Sequence, residues 1–535
     1  MTRSRIFLWG LLSFLTGVAV RSFFVVSIFV SFGLLLCAGI CFFFGFLRKN
    51  GAPRASPWYP LLTVKPAGLP AGAESRPRRP HSSMGKPVVF WGVEKTLFLM
   101  SFLTALLAGG IFRFHIAESR LPDISFFEGK PVVFRGVVSE EPERTLRSQR
   151  IHFQTEFIAQ RSIKQPVMLR VVVPPYPAYA LGDEIIFRGI IEPSGRKDFL
   201  GIVMFPRGEL VASGKMPAYR MFLSYVRNSF EKQLGALLPE PHSSLLKGLL
   251  LGERVSLPPD FLEDLRRSGT THIIALSGYN ITIVGGFILA VLLFCTIPFR
   301  VSFWIASLTI IFFVVMTGAS PSVVRAGVMG LLVLSARRMG RPYYVTNAIA
   351  FAAAVMILAN PFLLRFDVAF ELSFFATAGL ALLGPYIDRR IGRIQTAFSG
   401  RARVFEQTPF AGFIRGIFSQ TIAAQLAVLP LLVYIFGRVS IISPLANVFV
   451  LVSVPYAMAF GFAAGMISYV SLTLGQIVGS VAWMLLEYQI RTIHFFASLP
   501  GAAIEIGRWM TWLFLFVYGL LSSWIIWIRL QSGQK

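Results

Sequence analysis

The chain is poor in charge: only 14% of its 535 residues are Asp, Glu, Lys or Arg. So small a polar complement cannot coat a soluble domain of this length, which excludes an ordinary soluble enzyme. Only three cysteines occur, and Cys37, Cys41 and Cys295 all fall inside apolar runs. They build neither a disulfide framework nor a cysteine metal site, and the expectation is structural core thiols. The six histidines, His81, His115, His152, His242, His272 and His494, form no HxH or HExxH pattern, so no metal centre is legible. No GxxxxGK[ST] segment is present, which excludes a phosphate-loop motor. The sequence thus points to a protein with no catalytic residue, metal or cofactor of its own.

What the chain has in abundance is apolar length. It is 55% hydrophobic and 14% aromatic, with a mean hydropathy of +0.65. Apolar runs near the ~20 residues that cross a bilayer fall at 6–20, 23–46, 88–112, 272–298, 301–317, 322–334, 345–359, 367–387, 413–436, 441–470, 473–488 and 509–527. The expected fold is a polytopic α-helical membrane protein of about a dozen spans. No small-residue cleavage site follows the first run, so residues 1–47 read as an uncleaved hairpin. The run at 441–470 is long for one span and carries Pro455, which predicts two broken halves.

The net charge is +25. Most of the excess reads as topology signal, and the remainder as a surface that attracts polyanions. Residues 48–86 hold eight basic residues against Glu74, which predicts a basic cytoplasmic loop. A third span at 87–120 then leads outside. Arg337, Arg338 and Arg341, and the group from Arg389 to Arg415, fall in loops expected to be cytoplasmic, as are both termini.

Residues 121–217 change to period-two alternation between turn residues. Strands are expected at 132–138, 151–159, 167–173 and 184–192, closing into a small extracytoplasmic β-barrel inserted in the membrane chain. The segment Gly182-Asp-Glu-Ile-Ile-Phe-Arg-Gly189 resembles a strand of an OB-fold. Such barrels hold single strands by stacking bases on aromatics above a basic groove. Phe134, Phe153 and Phe187 with Arg135, Arg170 and Arg188 are the candidates, and barrel core is the competing role for the three rings. Residues 218–270 mix leucines with charges and read as amphipathic helices on the outer membrane surface.

Beyond residue 271, polar groups sit inside apolar runs, where each needs a buried partner or a wet path. His272, Ser277, Gly278 and Asn280 open one run. Ser322 and Arg325 follow Pro321 at the head of another. Asp367, Glu371 and Ser373 lie in a third, with the two acids on one helix face. Gln425 and Asn447 are single amides in later runs. A helix head with an arginine can hold a phosphate. The alternative for Arg325 is a structural pair with Asp367 or Glu371.

These blocks, in order, resemble the ComEC family of competence proteins: Leu250-Leu-Gly252, Gly269-Thr-Thr-His272 through Ser277-Gly-Tyr-Asn280, Gly318-Ala-Ser-Pro-Ser-Val-Val-Arg325, Phe366-Asp-Val-Ala-Phe-Glu-Leu-Ser373, Ala423-Ala-Gln425 and Pro444-Leu-Ala-Asn447. The match covers residues 240–460 and, more weakly, 120–215, which makes 271–535 a competence-type channel domain. The resemblance implies an inner-membrane channel for single-stranded DNA in natural transformation. It also implies an outer DNA receptor and a cytoplasmic DNA-translocating ATPase as partners, besides the lipid bilayer. The metallo-β-lactamase-like domain of many relatives is expected to be absent, because the chain ends shortly after Trp527. Glu371 stands where the family is expected to have Gln, and Asn280 where it often has His. Two rival readings remain open: a small-molecule, lipid or saccharide transporter on the same fold, and a non-transporting scaffold that displays the barrel.

Overall fold

The computed structural model describes residues 3–24, 26–51, 93–122, 125–144, 147–159, 161–194, 201–252, 257–274, 278–398, 409–507, 509–513, 516, 518 and 519. Ser277, nearly all of the basic loop at 48–86, and most of the last expected span lie outside those residues. The chain folds as two compact units, Met1–Arg113 and Phe114–Lys535.

The first unit is built on helices α1 (Arg3–Phe23), α2 (Ile28–Gly51) and most of α3 (Val93–Ser119). Their apolar residues run around the whole helix, as lipid contact requires. Hydroxyls hold them together: Ser13 donates to the Leu103 carbonyl at 2.6 Å and Ser101 to the Ala38 carbonyl at 2.7 Å. Cys37 is exposed on α2, as Cys295 is in the second unit. An all-round apolar helix has no single core face to hide them, so they are not core thiols.

In the second unit the alternating segment forms seven strands. These are β1 (Pro131–Val138), β2 (Glu143–Arg144), β3 (Gln149–Ile158), β4 (Arg161–Val173), β5 (Glu184–Pro193), β6 (Gly201–Met204) and β7 (Arg207–Ala212). β1 pairs with both β3 and β5, β3 with β4, β4 with β6, and β6 with β5, so five strands close on themselves. The β4–β6 contact is parallel and the others are antiparallel. β6 has four residues, too few to show alternation, and sequence reasoning missed it.

A helical bundle follows. It comprises α4 (Ala218–Leu237), α5 (His242–Leu251), α6 (Pro259–Ser268), α7 (Thr271–Ile274), α8 (Gly278–Phe294), α9 (Phe299–Met316), α10 (Pro321–Arg338) and α11 (Val345–Ala359). It continues through α12 (Leu363–Phe366), α13 (Val368–Leu382), α14 (Gly384–Phe398), α15 (Pro409–Phe436), α16 (Ser443–Ser468) and α17 (Leu472–Ser498). Two short strands, β8 (Arg438–Ser440) and β9 (Ala503–Glu505), pair as a separate clamp.

Across both units, five described helices are long and apolar enough to cross a membrane, or six if the pair α13–α14, bent by 46°, is one span. The dozen expected from hydropathy is not reached among the described residues: α2, α8 and α11 carry shorter apolar stretches, α10 and α17 do not qualify, and most of the run at 509–527 lies outside the described residues. In the run at 272–298 the described helices are α7, as far as Ile274, and α8, from Gly278; residues 275–277 lie outside the described residues. The run at 441–470 is instead one helix, α16, with Pro455 inside it. Helices within membranes tolerate proline when neighbours satisfy the freed carbonyl.

Within the segment 218–270, α5 does not lie on a surface. Nine of the ten residues of α5 are buried. Leu245, Leu246, Leu249 and Leu250 join Val450, Val454, Met458, Leu486 and Ile493 in the main core of the bundle. Its charges are met from within: Glu487 of α17 accepts from His242 at 2.8 Å, and Asp264 of α6 lies 2.9 Å from His494 Nδ1. At one end of α16, Ser229 and Tyr469 share a hydrogen bond of 2.9 Å. At the other, Ser443 donates to the Gly269 carbonyl at 3.3 Å. Those ends are 26 rises apart, about 39 Å at ~1.5 Å per residue. Gly269 has φ +73°, and a Cβ there would stand 2.5 Å from Ser443 Cβ, so both the turn and the approach require glycine.

Candidate functional site

The site grows from the first turn of α10. Pro321 presets the helical φ without removing a needed donor, and it places Arg325 one turn in, 7% exposed. The arginine faces α13. Its Nη1 donates to the Ser373 carbonyl and to Thr377 Oγ1. Those groups are four residues apart and therefore on one helix face. Thr377 Oγ1 also donates to the Ser373 carbonyl at 2.7 Å, and Ser373 Oγ donates to Ser322 Oγ at 3.1 Å. The Phe374 ring lies 5.8 Å from the guanidinium carbon.

No carboxylate of the described residues lies within ion-pair distance of Arg325, and its buried Nε has no hydrogen-bond partner. The expected alternative of a pair with Asp367 or Glu371 is therefore corrected. Asp367 is the N-cap of α13 and accepts the Phe370 N–H at 2.8 Å, a role its position before the helix favours. Glu371 follows in the first turn, half-buried. Arg325 is thus a buried cation surrounded by neutral oxygens. Such a charge is costly in an apolar bundle unless something anionic comes to it.

The other candidates scatter. Asn280 is 1% exposed and donates to the Leu249 carbonyl at 3.0 Å, fastening α8 to α5. Gln425 donates to the Ser440 carbonyl at 2.6 Å, and Asn447 to Ser443 Oγ at 3.3 Å. These amides serve contacts between elements near the clamp. His272 is exposed, with Nδ1 3.2 Å from the Gly269 carbonyl. Gly278 opens α8. Of the sequence candidates the structure gathers Ser322, Arg325 and Ser373. Thr377 is not among the sequence candidates. The four-residue step from Ser373 is the signal that could have promoted it.

In the barrel the three phenylalanines are corrected outright. Phe134, Phe153 and Phe187 are 1%, 0% and 0% exposed. Their centroids lie 5.7 Å (Phe134–Phe153) and 5.1 Å (Phe153–Phe187) apart inside the ring of strands. They are core, because the inward side of each strand must fill a barrel this small. Arg135 donates to Glu184 at 2.9 Å, and Lys215 lies 2.9 Å from the other oxygen. These two cations hold the Glu184 carboxyl below its ordinary range. Much of the Arg135 charge is accordingly cancelled. Arg170 is half-buried opposite His152, and Arg188 is exposed beside Arg207.

Fold and site together define a helical membrane protein with a buried cation in its bundle and a separate five-strand barrel. The family description "Competence protein" matches residues 249–531, more than half of the chain, and the chain belongs to that ComEC family. It is 26% identical over 278 residues to ComE operon protein 3 of Bacillus subtilis (strain 168), covering 51% of this chain and 33% of that one. It is 24% identical over 307 residues to the uncharacterized protein YcaI of Escherichia coli (strain K12), covering 54% and 38%. The chain thus spans little more than a third of the length of these curated relatives. No solved structure matches it.

Proposed function

We propose that this protein passes single-stranded DNA across the cytoplasmic membrane of a bacterium during natural transformation. Family membership supplies the substrate class. The observation that carries the reading is Arg325, a buried guanidinium whose partners among the described residues are all neutral, at the head of α10. A phosphate passing there would gain planar, charge-assisted bonds at a site already stripped of water. The barrel reads as OB-like, because five strands close with a single parallel contact, and it would meet the strand on the outer side. No catalytic step is assigned to the chain. Energy would come from a cytoplasmic DNA-translocating ATPase, and delivery from an outer DNA receptor.

A clean deletion in the source bacterium, complemented by variants, tests this. Loss of transformation in the deletion is expected. Arg325→Ala should lower transformation roughly ten- to hundredfold at near-normal membrane abundance, the loss of a charged hydrogen bond. Arg325→Lys should restore part of it. A deletion strain that transforms normally would refute the function. Transformation that merely tracks abundance across the series would remove Arg325 from the path.

A further inference from the structure

Gln149, at the start of β3, is 1% exposed, and its amide serves a loop. Nε2 donates to the carbonyls of Pro174, Pro175 and Pro177 at 2.9, 2.8 and 2.8 Å. Oε1 accepts the Tyr179 N–H at 3.2 Å. The loop leaves β4 at Val173, 2% exposed, and re-enters the core at Tyr179, 4% exposed, whose ring centroid lies 6.0 Å from that of Phe187. It is therefore fixed at its start, middle and end. At its tip stands Tyr176, 82% exposed.

Ordering a loop costs conformational entropy. A surface tyrosine that did nothing would not need a buried amide with its donors and acceptor all engaged. Two arginines stand near the root of the loop, with Glu143 of β2 across from one of them, Arg150. Arg147 is exposed in the turn two residues before Gln149. Arg150 is exposed on β3 opposite Val172, next to the root of the loop. A fixed aromatic face beside guanidinium groups is the arrangement that holds unpaired bases and their phosphates. Gln149 and Tyr179 anchor the loop backbone to the barrel, so Tyr176 is presented from the barrel surface, where an unpaired base can reach it.

We propose that Tyr176 is a stacking platform for an unpaired nucleobase, with Arg147 and Arg150 on the adjoining phosphates. This rests on the strand-passage reading and moves the barrel's contact from the enclosed phenylalanines to the Pro174–Tyr179 loop. The test uses the full chain in phosphatidylcholine–phosphatidylglycerol nanodiscs and a labelled oligo(dT), read by anisotropy. Tyr176→Ala should weaken binding roughly tenfold, the worth of one base stack, and Tyr176→Trp should retain it. Arg147→Gln should lower the salt slope by about 0.7. Brominated lipid should leave the added fluorescence of Tyr176→Trp intact, and oligo(dT) should quench it. Quenching by brominated lipid alone would place the ring in the bilayer and overturn the proposal. So would unchanged affinity in Tyr176→Ala, while wild-type binding leaves the function standing. Absence of binding by the wild type, with normal transformation in the deletion strain, would remove both.

Discussion

The barrel and the bundle close their interiors by opposite means. The barrel fills its centre with large rings, Phe134, Phe153 and Phe187, while the helices of the bundle come together where a side chain is missing. They also seat arginine differently. Arg135 of the barrel meets a carboxylate, whereas Arg325 of the bundle meets, among the described residues, a carbonyl, a hydroxyl and the Phe374 ring. The difference teaches that one residue type serves two ends. A paired arginine has its charge met where it stands, and a buried one with neutral partners does not.

The packing half of this comparison breaks most visibly at Gly379. A Cβ there would stand 2.4 Å from Ala427 Cβ and 2.7 Å from the Ala423 carbonyl oxygen, so α13 cannot lie on α15 with any larger residue. Gly379→Leu should abolish membrane accumulation, scored by immunoblot of isolated membranes; normal accumulation would show that the helices need not touch. Next in size is Phe153→Ala, expected to cost the barrel about 3–5 kcal/mol through the cavity it leaves. Limited proteolysis of the full chain against denaturant measures it. Weaker oligonucleotide binding at unchanged stability would instead return Phe153 to the role of a base contact.

The smallest effect sharpens the charge half. Arg135 and Lys215 depress the Glu184 carboxyl, so its contribution is present above the ordinary glutamate range near ~4.3. It fades as the pH falls through the lowered value. The partners are exposed, with side-chain accessibilities of 43% and 51%, which keeps the effect modest. Barrel stability should decline with acid below about pH 4 in the wild type, and Glu184→Gln should flatten that slope. An identical slope in both would show the pair to be inert.

The outline of this architecture was legible in the sequence, and its faces were not. Period two located four of the five barrel strands, but alternation says only that Phe134 and Arg135 point to opposite sides, not which side is enclosed. Hydropathy found the apolar runs, yet it averages over backbone geometry. It therefore read Pro455 as a break in a helix that is continuous. Asp367 and Glu371 looked like partners for Arg325 because charge attracts charge. The helix cap at Phe370 N and the hydroxyl face of α13 are three-dimensional facts. Tyr176 carried no signal of its own, since what fixes it is Gln149, more than twenty residues away across β3 and β4.

The path of the chain beside α16 has one more outcome. Asn228 and Ser224 hold Glu141 of the barrel, one residue from the place where Ser229 meets the end of α16, and Gly269 reaches the far end about 39 Å away. A hydrocarbon layer is ~30 Å thick. A bilayer crossed by α16 from end to end would have the barrel-side contact on one face and the clamp-side contact on the other. The leucine-rich stretch runs beside α16 from one end to the other, so whatever depth that helix spans, the stretch spans with it.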